Sequence, residues 1–154
     1  MNKKPERSEI AGLLARLALG AVFIYAGAVK AMAPAEEFAY AIEGYKVLNP
    51  QLSLLAAYVM PWVELYAGVL LAAGVYTRLF SVFTGLMLCF FELLLAQAWI
   101  RKLPVTSCGC FGTSGSNSIQ HELVQNLALL LLAVAAYRYG WAFSADRAAG
   151  RDDA

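Results

Sequence analysis

Two cysteines separated by a single glycine have the most distinctive chemistry in this sequence. They lie in the string Cys108-Gly109-Cys110-Phe111-Gly112. A disulfide between them requires Cα atoms within about 7 Å, and Gly109 permits the bend that this needs. Such a tight ring is strained, which raises the reduction potential of the bond, and it closes too short a loop to add much stability. The spacing therefore favours a labile, exchanging disulfide.

Two other uses of these thiols remain open at this point. One is a local staple that only shapes the loop. The other is a metal site, since Cys108, Cys110 and His121 are soft or borderline ligands suited to copper(I), zinc or mercury. No fourth ligand is evident, so such a site would be a two-thiolate transfer site rather than a closed structural one.

The elements that must position the thiols are predicted from composition. Of 154 residues, 60% are hydrophobic and 15% are charged, against roughly 45–50% and about 25% in soluble domains. The excess falls in four runs near the roughly 20 residues that cross a bilayer as a helix: 10–32, 52–76, 79–100 and 122–143. We predict an all-α, polytopic membrane four-helix bundle over residues 1–143. A polar tail, 144–154, is expected to be disordered.

Lysine and arginine set the expected orientation. Four of the 12 fall in the loops 33–51 and 101–121 or at their edges, and the other eight fall on the opposite side. This predicts both termini in the cytoplasm of a bacterial inner membrane and the cysteine loop in the periplasm. A cleaved signal peptide ending near Ala33 is disfavoured, because the first run is too long and Arg16 interrupts it. No basic aromatic stripe points to nucleic acid.

Polar residues recur at helical spacing within each run. Inside a bilayer a charged side chain costs about 2.5–3.5 kcal/mol and usually faces the bundle interior, and small residues mark close helix contacts. The predicted inner faces, from the first helix to the fourth, are Gly12, Arg16, Gly20, Phe23, Gly27 and Lys30; Pro61, Glu64, Gly68 and Leu71; Gly85, Cys89, Glu92, Ala96 and Trp99; and Glu122, Asn126 and Leu129.

Depth along the helices, at about 1.5 Å per residue, predicts which of these groups meet. Arg16 and Glu64 are expected to form a structural pair between the first two helices. Glu92 and Asn126 lie further outward and are expected to line a polar path below the thiols. The alternative, that all four only lock the bundle, stays open.

Two further residues have competing interpretations. His121, the only histidine, is a candidate to assist a thiolate by proton transfer or positive charge, or it is an interfacial residue. Cys89 is expected to be a small buried hydrophobe.

Several motifs together resemble a known family. Besides the cysteine string, the first helix carries Arg16-Leu17-Ala18-Leu19-Gly20, the second carries Pro61-Trp62-Val63-Glu64, and Asn126 follows His121. Over roughly residues 10–140 the chain resembles the MauE branch of the MauE/DoxX redox-associated membrane proteins. The resemblance implies a four-helix inner-membrane protein linked to thiol–disulfide chemistry, often beside a thioredoxin-like partner.

We therefore predict a membrane thiol–disulfide relay in which a soluble periplasmic thioredoxin-like partner attacks the Cys108–Cys110 disulfide. Glu92 and His121 are the candidate proton-handling residues. A quinone between the helices is the expected electron acceptor, with the candidate binding residues Arg16, Glu64 and Asn126. Outward electron flow, thiolate metal transport, and a non-catalytic accessory role in maturing a periplasmic enzyme remain as alternatives. A homodimer is compatible with this apolar composition.

Overall fold

The computed structural model describes residues 7–103, 119–141 and 144–150, and every regular element among them is an α-helix. The helices are α1 (Arg7–Met32), α2 (Ala35–Gly44), α3 (Pro50–Ala73), α4 (Thr77–Ile100), α5 (Ile119–Tyr139) and α6 (Ala145–Ala148). Four of them, α1, α3, α4 and α5, are long and apolar enough to cross a membrane. The predicted all-α bundle of four membrane-spanning helices is confirmed.

Helix α3 begins and ends slightly earlier than the predicted range 52–76, and local sequence signals explain both ends. At its start, Pro50 occupies the first turn, and the side chain of Asn49 accepts a hydrogen bond of 2.8 Å from the Leu52 amide, a standard N-cap. At its end, Gly74 adopts a left-handed conformation with φ 73°, as is common for a glycine that terminates a helix. The helix therefore stops before Tyr76.

Glycines allow α1 and α3 to pack backbone against backbone. A Cβ added at Gly20 would lie 2.9 Å from the carbonyl oxygen of Gly68, and one added at Gly27 would lie 2.6 Å from the carbonyl oxygen of Pro61. Real side chains do not fit at such distances, so the two helices approach more closely than larger residues permit. This contact fixes the register of the antiparallel pair.

The remaining helices are arranged around α1. Helix α1 packs against both α3 and α5, and α5 packs against α4, whereas α3 and α4 make much sparser contact. Helix α2, which the sequence prediction left within a loop, packs on α3 through Phe38, Ala39 and Ala57. The sparse contact between α3 and α4 leaves a gap beside α2.

Three of the four predicted inner faces are confirmed. The predicted residues of α1 and α3 are all buried, and on α5 Asn126 and Leu129 are buried with Glu122 half-buried.

The predicted inner face of α4 is wrong by about one residue. Its buried residues are Thr77, Ser81, Thr84, Met87, Leu88, Leu95 and Ala98, whereas Cys89 is exposed and Trp99 is 54% exposed. The hydroxyls of Ser81 and Thr84 donate to carbonyl oxygens one turn earlier, at 2.7 and 2.8 Å. These residues can therefore be buried without a partner on another helix. Cys89 is accordingly not the buried hydrophobe that we expected.

The expectation of a disordered tail is also wrong for the part of it that is described. Asp146, in α6, is only 1% exposed. Its carboxylate accepts hydrogen bonds of 2.8 Å from the Tyr76 and Thr77 amides and one of 3.0 Å from the Thr77 hydroxyl. An acidic group at a helix N-terminus is stabilised by the free amides and by the helix dipole. The tail is therefore anchored to the start of α4.

Candidate functional site

Cys108 and Cys110 lie outside the described residues, but the structure shows where the loop that carries them begins and ends. Leu103 and Ile119 both pack on a cluster formed by Tyr45, Leu95 and Ala98. The side-chain amide of Gln97 donates to the Tyr45 carbonyl oxygen at 3.4 Å. We call these residues the loop anchor. Because it receives both ends of the loop, the loop leaves and re-enters the bundle at one place.

Inside the bundle, Lys30 and Glu64 form a buried ion pair. The Lys30 Nζ lies 2.6 Å from both carboxylate oxygens of Glu64, and the two side chains are 2% and 4% exposed. The ammonium also lies 5.2 Å from the ring centroid of Phe38 and 5.9 Å from that of Phe91, within the range of cation–π attraction. One charge on α1 is thus held by groups from α2, α3 and α4.

This pair corrects the predicted Arg16–Glu64 contact. In the observed register, Arg16 lies beside Gly74, where an added Cβ would come 2.5 Å from its Nη1. Gly74 is ten residues beyond Glu64, roughly 15 Å along a helix. Lys30 reaches Glu64 because each side chain leans toward the N-terminus of its own helix, and in antiparallel helices these directions converge. The prediction compared depths counted from presumed helix ends, so it did not include the direction in which each side chain leans.

Arg16 instead belongs to the opposite end of the bundle. Its Nη1 donates to the Gly140 carbonyl oxygen at 3.0 Å, and it interacts electrostatically with Asp146. The guanidinium therefore joins α1, the end of α5 and α6. This placement separates Arg16 from Glu64 and Asn126, the other two candidates for binding a cofactor.

Glu64 and Asn126 do come together, with Lys30, around a central cavity. The cavity measures about 340 Å³ including its open mouth. Its walls are formed by Val22, Phe23, Ala26, Lys30, Glu64, Leu88, Phe91, Asn126 and Leu129. The Asn126 side chain lies beside the carboxylate of Glu92. Among the described residues, the Asn126 amide nitrogen and the Glu92 Oε2 atom are both buried without a hydrogen-bond partner. Asn126 thus stands between the ion pair and Glu92.

Glu92 and His121, the two candidates for proton transfer, differ in position. Glu92 is half-buried on α4 beside Asn126. His121 is exposed in the first turn of α5, next to Glu122. Cys108 and Cys110, the thiols that these two residues were predicted to serve, lie outside the described residues.

Tyr45 connects the loop anchor with the acidic start of α5. Burial, and secondarily the negative charge of Glu122, raise the pKa of the Tyr45 phenol well above its usual value. Both effects favour the neutral, protonated form of the phenol. Neither Tyr45 nor Lys30 was predicted from the sequence to belong to the site. The sequence did contain a signal for Lys30, since this lysine follows the glycines of α1 at helical spacing.

Metal-ligating side chains do not cluster in the described part of the chain. Within residues 7–103, 119–141 and 144–150, no group of three or more His, Cys, Asp and Glu side chains is placed to hold an ion. Cys108 and Cys110 fall outside these ranges, so the two-thiolate metal site stays an alternative.

Comparison with known proteins gives one match. The family model described as "Methylamine utilisation protein MauE" matches residues 8–139, which include all four membrane-spanning helices and the cysteine loop. Comparisons with curated proteins and with solved structures found no match. The family match covers most of the chain and agrees with the MauE part of the resemblance seen in its motifs.

The ion pair gives a direct prediction about stability. Replacing Lys30 by Met leaves the Glu64 carboxylate buried without its partner, which typically costs about 3–5 kcal/mol. The double variant Lys30→Met, Glu64→Met removes both charges and should recover most of that loss. Unfolding of the protein in detergent micelles, followed by circular dichroism, measures both.

The matched control is Lys46→Met, since Lys46 is exposed and its replacement should change the free energy of unfolding by less than about 0.5 kcal/mol. If the double variant were as unstable as the sum of the two single variants, the pair would not be coupled as described.

Proposed function

The chain belongs to the MauE family, and from this premise we propose that it is a membrane thiol–disulfide redox protein. Its Cys108–Cys110 pair exchanges disulfides with a soluble thioredoxin-like partner. The matched family is described as a methylamine utilisation protein, and in that process the protein would act as a membrane accessory factor. The observation that carries the proposal is the Cys-Gly-Cys string in a loop whose two ends meet at the loop anchor.

The exchange proceeds in two steps that conserve atoms and electrons. A thiolate of the partner attacks one sulfur of the Cys108–Cys110 disulfide, forming a mixed disulfide and releasing the other cysteine as a thiolate. The partner's second thiol then attacks the mixed disulfide. The partner leaves with a new disulfide, and Cys108 and Cys110 remain as the reduced pair with two electrons gained.

The orientation in this proposal follows from charge. Eight of the 12 Lys and Arg residues fall on the side opposite the cysteine loop, so the positive-inside rule places the loop outside the cytoplasm. In a bacterial inner membrane that is the periplasm, where disulfides form and persist. A thioredoxin-like partner in that compartment would reach the loop without crossing the bilayer.

Capture of the partner in cells tests the exchange. In a Cys110→Ser variant, Cys108 attacks an oxidised partner and no second thiol in the loop resolves the product, so a mixed disulfide should accumulate. Non-reducing electrophoresis after acid quenching and alkylation should show a reducible adduct, and mass spectrometry should identify a thioredoxin-like protein. Cys89→Ser should leave the adduct unchanged, because Cys89 is distant in sequence and takes no part.

No adduct, combined with full function of a Cys108→Ser, Cys110→Ser variant, would contradict the exchange. Function that instead depends on an ion bound in stoichiometric amount by Cys108 and Cys110 would favour metal handling.

The Glu92–Asn126 contact supports a role for Glu92 in moving the thiol protons. We expect Glu92→Gln to slow thiol exchange by about tenfold or more, since proton transfer by a positioned side chain contributes at least that much. The matched control is Glu36→Gln, an exposed glutamate of α2. Stopped-flow exchange with a dithiol probe at several pH values measures the rate, and wild-type rates at every pH would exclude this role.

A further inference from the structure

The central cavity is lined by a polar side chain that no neighbouring side chain satisfies. Asn126 forms part of its wall and is only 6% exposed, and the Asn126 side-chain nitrogen has no hydrogen-bond partner among the described residues. A buried donor in this state is unfavourable, because it has lost its hydrogen bonds to water and gained none in return. The hydrocarbon of a bilayer supplies no acceptor either. The Asn126 nitrogen therefore requires an acceptor from an occupant of the cavity.

The ion pair on the same cavity has hydrogen-bonding capacity left over. Lys30 and Glu64 both line the cavity, and the hydrogen bonds that the Lys30 ammonium makes within the described structure both go to Glu64. An ammonium group carries a third N–H donor, and each carboxylate oxygen has a second lone pair. An occupant can thus accept a hydrogen bond from Lys30 and donate one to Glu64.

A further unsatisfied group lies next to Asn126. The Oε2 atom of Glu92 is buried and, within the part of the chain that the structure describes, lacks a hydrogen-bond partner. The Glu92 side chain lies beside Asn126. An unpartnered donor and an unpartnered acceptor are therefore neighbours, and the donor belongs to the wall of a cavity that also contains an ion pair.

The chemistry of the cavity wall selects one kind of occupant. Its remaining residues are apolar: Val22, Phe23, Ala26, Leu88, Phe91 and Leu129. A free anion would be repelled by the Glu64 carboxylate, and a free cation would be repelled by the Lys30 ammonium. A lipid acyl chain would leave the Asn126 nitrogen unpaired. A small neutral molecule that both donates and accepts hydrogen bonds satisfies all the polar groups.

From these observations we propose that the central cavity is a buried water site. Water accepts a hydrogen bond from the Asn126 nitrogen and donates to the Glu64 carboxylate, and a further water molecule joins Asn126 to the Glu92 Oε2 atom. Buried waters typically make about three hydrogen bonds to such groups, and each occupies roughly 30 Å³. The cavity, at about 340 Å³ including its open mouth, has room for them. The interior ion pair is thereby connected to Glu92 on α4.

Water-edited solid-state NMR tests the site. The full-length, isotope-labelled protein is placed in bilayers of deuterated phosphatidylcholine, and magnetisation is transferred from water protons to side chains. We expect transfer to the Asn126 side-chain nitrogen and to the Glu64 carboxyl carbon, well above the level at the methyl group of Ala136, which is 0% exposed. Asn49, exposed at the start of α3, gives the reference level for surface water.

A cavity-filling variant locates the water. Ala26→Leu adds volume at a wall residue of the cavity and keeps every polar group in place. It should weaken transfer from water to Asn126 by about threefold or more, because the larger side chain excludes buried water. The matched control is Ala18→Leu, the same change at an exposed position of α1, which should leave the transfer unchanged.

Asn126→Leu is a second variant, which removes the donor with little change in volume. It should weaken the transfer from water to the Glu64 carboxyl carbon, because the water then lacks one of its partners. This variant also assigns the Asn126 signal, which it removes from the spectrum.

Three results would overturn the site. Transfer to Asn126 and Glu64 no stronger than that to Ala136 would show a dry cavity. Transfer that Ala26→Leu leaves unchanged would place the water elsewhere. In bilayers of protonated lipid, strong transfer from acyl-chain protons to Asn126 would identify a lipid tail as the occupant.

The Cys108→Ser, Cys110→Ser variant separates this inference from the proposed function. No thiol contributes to the water site, so the variant should show wild-type transfer to Asn126, and loss of that transfer would contradict a site formed by these residues. A dry cavity in a protein that still exchanges thiols would overturn the water site alone. A hydrated cavity in a protein that exchanges no thiols would overturn the proposed function alone.

Discussion

An ammonium and a carboxylate buried together between apolar helices constrain much of this structure. Neither Lys30 nor Glu64 can be buried alone at such depth without a large desolvation penalty, so α1 and α3 must pack in the one register in which the two meet. The glycines of α1 and α3 allow the close approach that this register demands. Because Phe38 and Phe91 surround the same ammonium, the pair also fixes how α2 and α4 lie against α1 and α3.

The two ends of the bundle are stabilised by different means. At one end, Arg16 and Asp146 connect α1, α5, α6 and the start of α4 through backbone hydrogen bonds. At the other end, the loop anchor is mainly hydrophobic and receives both ends of the cysteine loop. Between the two ends, the Lys30–Glu64 pair and Asn126 line the central cavity, and Glu92 lies beside Asn126.

Much of this arrangement could be predicted from the sequence, for identifiable reasons. On α1 and α3 glycines and charges repeat on one face, and such a face must be turned inward in lipid, so both were predicted correctly. Beyond the first turn of α4, its buried polar residues are Ser81 and Thr84, whose hydroxyls bond within their own helix. Hydrogen bonds within a single helix produce no recognisable spacing of residues in the sequence. The predicted inner face of α4 was therefore wrongly centred on Cys89.

Contacts between helices were harder to predict than faces. The partner of Glu64 depends on a register set by glycine contacts and on the direction in which side chains lean, and neither follows from counting residues between presumed helix ends. The anchored tail was missed for a similar reason. Asp146 lies in a polar, short segment typical of disorder, and only the free amides of Tyr76 and Thr77 at the start of α4 explain its burial.

The central claim is that the bond between Cys108 and Cys110 is an exchanging disulfide rather than a permanent staple. Its reduction potential tests this most directly, measured by equilibrating the Cys89→Ser protein in nanodiscs with dithiothreitol redox buffers and counting alkylated thiols by mass spectrometry. We expect a two-electron transition at a potential above about −300 mV, the approximate upper limit for structural disulfides. A pair that remained oxidised well below that potential, or that never formed a disulfide at any potential, would contradict it.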